Sequence, residues 1–304
     1  MILPPAHFEP EFAPIELLPL LIPALLYWWR ATNLAQRGRP VPLWRQFSFA
    51  AGLMTIALSL IGLGELSDQL LWPHMLEHLL IGDLAAILLV LGLTGPLLQP
   101  ILAIKPFDRL RVLAHPAVAL PLWAIDLYVW HIPALYERTL SSPALHALEH
   151  AMFIFFGCLM WMPVLGPLPK PKWFGAGWKV IYVITVRFVS AVLGNVFIWS
   201  GAVFYPAYTS GDAAHNISPL TDQGVAGSIM MGEGMIVTLA VLAWAFLKWA
   251  ADTTERQRLL DLAEARGIPL DEARAARAVA AGQAKHLEER LLAGEPQAPG
   301  AGPG

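Results

Sequence analysis

Seven stretches of this chain are apolar and long enough to cross a lipid bilayer. That constrains the fold more than any motif does. A spanning helix needs roughly 20 predominantly apolar residues. The qualifying segments run from about Pro14 to Arg30, Gln46 to Leu63, His74 to Leu93, His115 to Leu135, Ala144 to Leu165, Lys179 to Gly201 and Asp222 to Lys248. In hydrocarbon each backbone N–H and C=O has to be satisfied inside the protein, so isolated apolar segments of this length predict helices. Only 14% of the 304 residues are charged, where a soluble domain carries about 25%. What charge there is collects at the end: residues from Ala251 onward hold 7 of the 20 Lys and Arg and 9 of the 23 Asp and Glu. The expectation is an all-α polytopic membrane protein, with residues 1–250 forming a seven-transmembrane-helix bundle. Residues 251–304 then form a polar, partly helical tail, with helical patterns over 255–266 and 270–292. A net charge of −3 with no basic stripe argues against a nucleic-acid partner.

Basic residues in short loops orient such a bundle. With seven spans, Arg30, Arg37, Arg39, Arg45, Lys105, Arg109, Arg111, Lys170, Lys172, Lys179, Lys248 and the tail cations share one side. Arg138 alone falls opposite, and Arg187 lies within a span. The N-terminus is therefore expected outside and the C-terminus in the cytoplasm.

That topology gathers seven of the nine histidines at or beyond the outer face. His74 and His78 open the third span, His146 and His150 open the fifth, and His131 approaches from the antiparallel fourth. Residues four apart share a helix face with Cβ atoms about 6 Å apart, so each pair can aim two imidazoles at one ion. Each pair carries a glutamate just before its second histidine, Glu77 and Glu149. Neither pair reads His-Glu-x-x-His, which disfavours zinc-protease chemistry. Imidazole suits zinc, copper, iron and nickel, and thioether shifts the preference toward Cu(I), which brings in Met75. Cys158 lies about two turns below His150 and reads as a packing cysteine.

Four ionisable residues lie inside spans: Asp83, Asp126, Arg187 and Glu233. A charge there is expensive unless paired or hydrated. Arg187 is expected to pair with one acid, Glu233 first because consecutive spans are usually neighbours, with Asp83 and Asp126 next.

The stretch Trp72-Pro73-His74-Met75-Leu76-Glu77-His78 with Gly92-Leu93-Thr94-Gly95-Pro96 resembles the caa-type cytochrome c oxidase assembly factors, the multi-span CtaG proteins. So do Trp130-His131-Ile132-Pro133-Ala134-Leu135-Tyr136, then His146, Glu149-His150, Phe153, Gly157, Trp161 and Pro163, and finally Asp222-Gln223-Gly224-Val225-Ala226-Gly227 with Met230. The resemblance runs from about Leu60 to Trp249. It implies a multi-pass protein of the bacterial plasma membrane that helps mature a haem–copper oxidase by handling copper on the outer side. Its partners would be an oxidase subunit, the lipid bilayer and a periplasmic copper chaperone. The motif positions carried over are His74, Met75, His78, His131, His146, His150, Asp222 and Gln223. Two positions depart from the pattern: Glu77 replaces a neutral amide, and Asp83 adds a charge.

The resulting expectation is a non-enzymatic assembly factor that binds or passes Cu(I) through a histidine belt of His74, His78, His131, His146 and His150 with Met75. Glu77, Glu149, Asp222 and Gln223 would supply charge or orient the ligands. Three other readings stay open: a b-type haem electron-transfer protein, a metal-dependent membrane enzyme, and a metal-independent scaffold for oxidase subunits.

Overall fold

The computed structural model describes residues 14–105, 110–280 and 282–293, and these contain helices and no strand. His7 and Arg109 lie outside the described residues. The helices are α1 (Pro14–Gln36), α2 (Leu43–Ser67), α3 (Leu71–Leu79), α4 (Ala85–Gly92), α5 (Gly95–Leu102), α6 (Leu110–Leu113), α7 (Pro116–Trp130), α8 (Pro133–Ser141), α9 (Pro143–Leu165), α10 (Ala176–Trp199), α11 (Thr209–Ala214), α12 (Pro219–Ala265), α13 (Glu272–Ala280) and α14 (Ala284–Leu292). Among the described residues, five helices are long and apolar enough to cross a membrane: α2, the continuous Leu71–Gly92 rod, α9, α10 and α12. The bent pair α7 and α8 makes a sixth candidate. The chain divides into two compact units between Thr238 and Leu239.

Two features of the spans differ from the hydropathy reading. The fourth stretch was expected to run straight to Leu135. Instead α7 stops at Trp130 and the chain turns by 71° into α8. Pro133 is the cause. It disfavours helical geometry at the residue before it and is itself suited to the first turn of a new helix. The second feature is a π turn, Leu80–Leu84, joining α3 to α4 inside one span. Such a wide turn shifts the phase of the residues around it and is often found at functional sites. Here it carries Asp83.

In the first unit the rod from α3 to α4 packs between α2 and α9, and α7 packs against α9 and α10. Small residues set these approaches, as they do where apolar side chains gain nothing by leaving lipid. A Cβ on Gly52 would meet Leu89, and one on Gly92 would meet Phe49 and the Arg45 carbonyl. Gly157 of α9 is closer still: a Cβ there would run into the Gly82 carbonyl oxygen of the π turn and stand 3.1 Å from Ala86 Cβ. At the far end, Arg45 Nη1 donates to the carbonyls of Leu91 (2.8 Å) and Leu93 (2.7 Å), and Arg30 Nη2 donates to that of Pro96 (3.0 Å). Arg45 thus satisfies carbonyls left open where the rod ends, at the negative end of its dipole, and Arg30 satisfies a carbonyl of α5 that Pro100, lacking an N–H, leaves open.

Arg187 of α10 is held by Asp83. Its Nη1 donates to Asp83 Oδ2, while Asp83 Oδ1 accepts from Trp161 Nε1 of α9 at 2.6 Å. The guanidinium also lies 5.3 Å from the centre of the Trp161 ring. Glu233 of α12, ranked first from span order, is a second and longer contact at 3.9 Å. Asp126 takes no part; its Oδ1 accepts from Trp130 Nε1 at 3.0 Å on its own helix.

The second unit buries Leu259, Ala263, Leu287 and Leu291 together. Ion pairs Arg256–Glu272 (3.3 Å) and Arg258–Glu288 tie its helices.

Two outcomes follow. Gly157→Ala forces α9 off the π turn and should lower the thermal midpoint of the detergent-purified protein, at a cost of about 1–3 kcal/mol for overpacking. Gly175→Ala, with nothing within 4 Å of its Cβ position, should leave that midpoint unchanged. Arg187→Leu should lower membrane abundance by stranding Asp83. Pairing it with Asp83→Leu should restore abundance better than pairing it with Glu233→Leu or Asp126→Leu, because removing both members of a buried pair leaves an apolar contact. Abundance of Arg187→Leu equal to wild type would show that the pair does not hold the bundle.

Candidate metal centre

The two i, i+4 histidine pairs of α3 and α9 meet across the helix interface. Within the pairs the ring centroids stand 4.4 Å apart for His74–His78 and 4.2 Å for His146–His150. Between helices, His74 stacks on His146 at 5.2 Å and His78 meets His150 edge-on at 5.2 Å. Both helices open with proline in their first turn or just after it, Pro143 and Pro73. Each begins at the same end of the bundle, so equal register puts the pairs at equal depth.

Within this group His74, His78, His146 and Glu149 each offer a ligand atom, all within 4.8 Å of one another. Ligands about 2.0–2.1 Å from one ion can stand no more than about 4 Å apart. Small side-chain rotations therefore close the set. His74 and Glu149 are fully buried. His74 Nδ1 lies 3.3 Å from the Ser67 carbonyl. A carbonyl only accepts, so Nδ1 carries the proton and Nε2 keeps its lone pair, the usual arrangement behind a metal-ligating imidazole. That Nε2, both ring nitrogens of His78, and the Nε2 atoms of His146 and His150 are buried with no hydrogen-bond partner among the described residues. Buried nitrogens without partners are costly, and an ion would engage them. His150 flanks the set, with Nε2 at 3.8 Å from Glu77 Oε1.

His131 and Met75 stand apart from these four. His131 sits at the α7–α8 bend, where Nδ1 donates to the Leu127 carbonyl at 2.7 Å, and its ring faces Phe153 and Phe197. Met75 points into an apolar cluster with Leu193, Phe197 and Met230. Both line a cavity of about 50 Å³ beneath the histidines, which reaches His78, Asp83 and Arg187.

Asp222 and Gln223 position backbone. Asp222 at the start of α12 accepts from the N–H groups of Leu71 (2.6 Å) and Trp72 (3.0 Å), and so caps α3 from another helix. Those are among the open donors of a helix N-terminus, where a carboxylate is favourable. Asp212 of α11 hydrogen-bonds Asp222; burial and that neighbouring carboxylate push its carboxyl up to about 6. Gln223 accepts from Phe204 N–H at 2.9 Å and donates to the carbonyls of Phe197 (3.2 Å) and Ala202 (3.1 Å). It thereby fixes the turn after α10.

That turn carries two residues the sequence reading missed. Tyr205 donates its hydroxyl to the His131 carbonyl at 2.9 Å, and Tyr208 shares a hydrogen bond with Tyr136 at 2.9 Å. Tyr136 and Tyr208 ring centres lie 5.3 and 6.2 Å from that of His74. Burial raises the ionisation of both Tyr205 and Tyr208 above the usual phenol range. They act as neutral hydrogen-bonding walls. A Tyr-Pro-Ala-Tyr run in an otherwise polar connection was the available signal. His115 and His215 are elsewhere, each bonding its own local backbone.

No curated protein and no solved structure gives a match to this chain. The family model for the cytochrome c oxidase caa3 assembly factor (Caa3_CtaG) matches residues 25–252, which takes in every helix that contributes to the histidine group, its cap and its aromatic wall. A match over most of the chain, centred on the buried His/Glu cluster, makes this multi-pass membrane protein a member of the cytochrome c oxidase caa3 assembly factor family.

Proposed function

We propose that this chain binds copper, as cargo, at His74, His78, His146 and Glu149 and passes it to a subunit of a haem–copper oxidase. The observation that carries the reading is the convergence of two histidine pairs on buried imidazole nitrogens that have no partner among the described residues. The donors fit the ion. Imidazoles suit copper, and a buried carboxylate offsets the charge of a cation taken out of water. His150 and Glu77 stand beside the set as exchange ligands or charge. Nothing in the reading requires bond-making chemistry by the chain itself; its role is non-catalytic.

The same reading includes seven spans in a bacterial plasma membrane. α1 supplies the seventh: it is 23 residues long, and Leu18, Leu21, Ile22, Leu25 and Leu26 face outward as a lipid-facing helix requires. The histidine end then faces outside, with residues 1–250 forming the membrane domain and 251–304 a cytoplasmic tail. A copper chaperone on the outer side would load the site.

A haem reading is less favourable, because a porphyrin has to fit between its axial imidazoles and these rings already lie 4.2–5.2 Å apart.

Four measurements test the proposal. Reporter fusions after Gly64 and after Gly211 should score external and a tail fusion internal; an internal score at either loop overturns the orientation. Protein purified under reducing conditions should retain copper and show no Soret band. His74→Ala/His146→Ala should weaken Cu(I) retention by about tenfold or more without loss from the membrane, as loss of inner-sphere ligands costs at least what loss of their supports does. Oxidase copper content should fall in the same cells under copper limitation. Unchanged retention in that variant, or haem in place of copper, would sink the reading.

A further inference from the structure

We propose that the cavity below the histidine group is a second metal site of softer character, holding monovalent copper on His131, Met75 and Met230, with His78 shared between the two sites. The inference rests on the copper reading above for the identity of the ion; the cavity itself does not depend on it.

Four observations converge. His131 is only 8% exposed, its Nδ1 is committed to the Leu127 carbonyl, and its Nε2 is buried without a hydrogen-bond partner among the described residues. Two thioethers from two other helices, Met75 at 1% and Met230 at 4% exposure, line the same cavity. Buried methionines usually do no more than pack, and these also touch Leu71 and Leu193. Packing does not account for an unsatisfied imidazole nitrogen beside them. His78 lines the cavity from above with both ring nitrogens unpartnered, so it stands on the wall between this space and the upper group. Among the described residues the carboxylate that lines the cavity, Asp83, has its oxygens engaged by Trp161 and Arg187.

The donors left over are neutral nitrogen and sulfur, a set that selects Cu(I) over hard divalent ions. The volume, about 50 Å³, has room for an ion with its ligands drawn inward or for a few waters. A shared His78 lets an ion move from the outer group to the thioethers by exchanging one ligand at a time.

The test uses the full chain in detergent, loaded anaerobically with Cu(I). Bound copper per chain is counted, and the ligand shell is read by X-ray absorption at the copper edge. Wild type should show mixed nitrogen and sulfur scattering. Met75→Leu/Met230→Leu, a volume-conserving change, should lose the sulfur shell and one copper per chain. His74→Ala/His146→Ala should lose one copper per chain and leave the remaining shell richer in sulfur. Wild type without sulfur scattering, or a methionine variant with unchanged count and spectrum, overturns the second site. If the histidine variant changes nothing while the methionine variant loses its sulfur-bound ion, the outer site fails and the cavity stands. A selenomethionine-labelled wild type loaded with Ag(I) guards against misfolded variants: silver scattering at the selenium edge supports the site, and its absence overturns it.

Discussion

A guanidinium cannot sit alone in hydrocarbon, and much of this bundle is arranged around that fact. Unpaired, Arg187 costs at least about 2.5–3.5 kcal/mol. The carboxylate that relieves it comes from Asp83, which the π turn places between α9 and α10. Trp161 then closes the arrangement, donating to the same carboxylate and presenting its ring to the cation. One polar contact thereby joins three helices, and the histidines of α3 and α9 sit above it. The π turn also needs α9 very close, which is why Gly157 lies against Gly82. Ion pair, wide turn and bare glycine form one unit, and the register of the two histidine pairs depends on it.

Register along the helices was legible in the sequence, and lateral position was not. Hydropathy and the i, i+4 spacing placed His74, His78, His146 and His150 at one level, and the structure brings these rings together. His131, expected at the same level, belongs to a different space, because which side of a helix faces which neighbour is decided by packing that a single sequence does not display. The partner of Arg187 shows the same limit. Adjacent spans favoured Glu233, yet Asp83 makes the close contact, since chain order restricts neighbours without setting the azimuth of a side chain. Asp126 looked equally suited by depth and is instead bound on its own helix, through Oδ1 to Trp130.

Breaks inside spans were hidden for another reason. Hydropathy averages over a window and is blind to backbone geometry, so the π turn at Leu80–Leu84 left no trace in it. The bend after Trp130 did leave one, in Pro133, and reading an apolar run past that proline was the error. Asp222 and Gln223 were expected to act near the ligands. Their contacts are instead to backbone, at the first residues of α3 and at the turn carrying Tyr205 and Tyr208. A carboxylate or amide that positions backbone looks no different in sequence from one that positions a ligand.

The placement of the histidine group at two helix N-termini bears on what it can do. His74 and His146 each lie in the opening turns of their helices, at the positive end of the dipole. That end favours anions and disfavours a bound cation, by typically 0.3–1 kcal/mol each when exposed and more when partly buried. Asp222 offsets the term at α3 by capping it with a full negative charge. The N-cap of α9, Ser142, makes no side-chain cap hydrogen bond, and there Glu149 is the acid grouped with the imidazoles of His74, His78 and His146. On the proposed copper reading, the group would be a cation site built against an unfavourable backbone field and compensated by separate carboxylates. Retention of an ion then depends on those carboxylates staying in place. A docking partner that moved the Asp222 cap or drew Glu149 aside would lower affinity without touching an imidazole. For the proposed carrier role, adjustable compensation by separate carboxylates suits release better than a closed tetrahedral cage does.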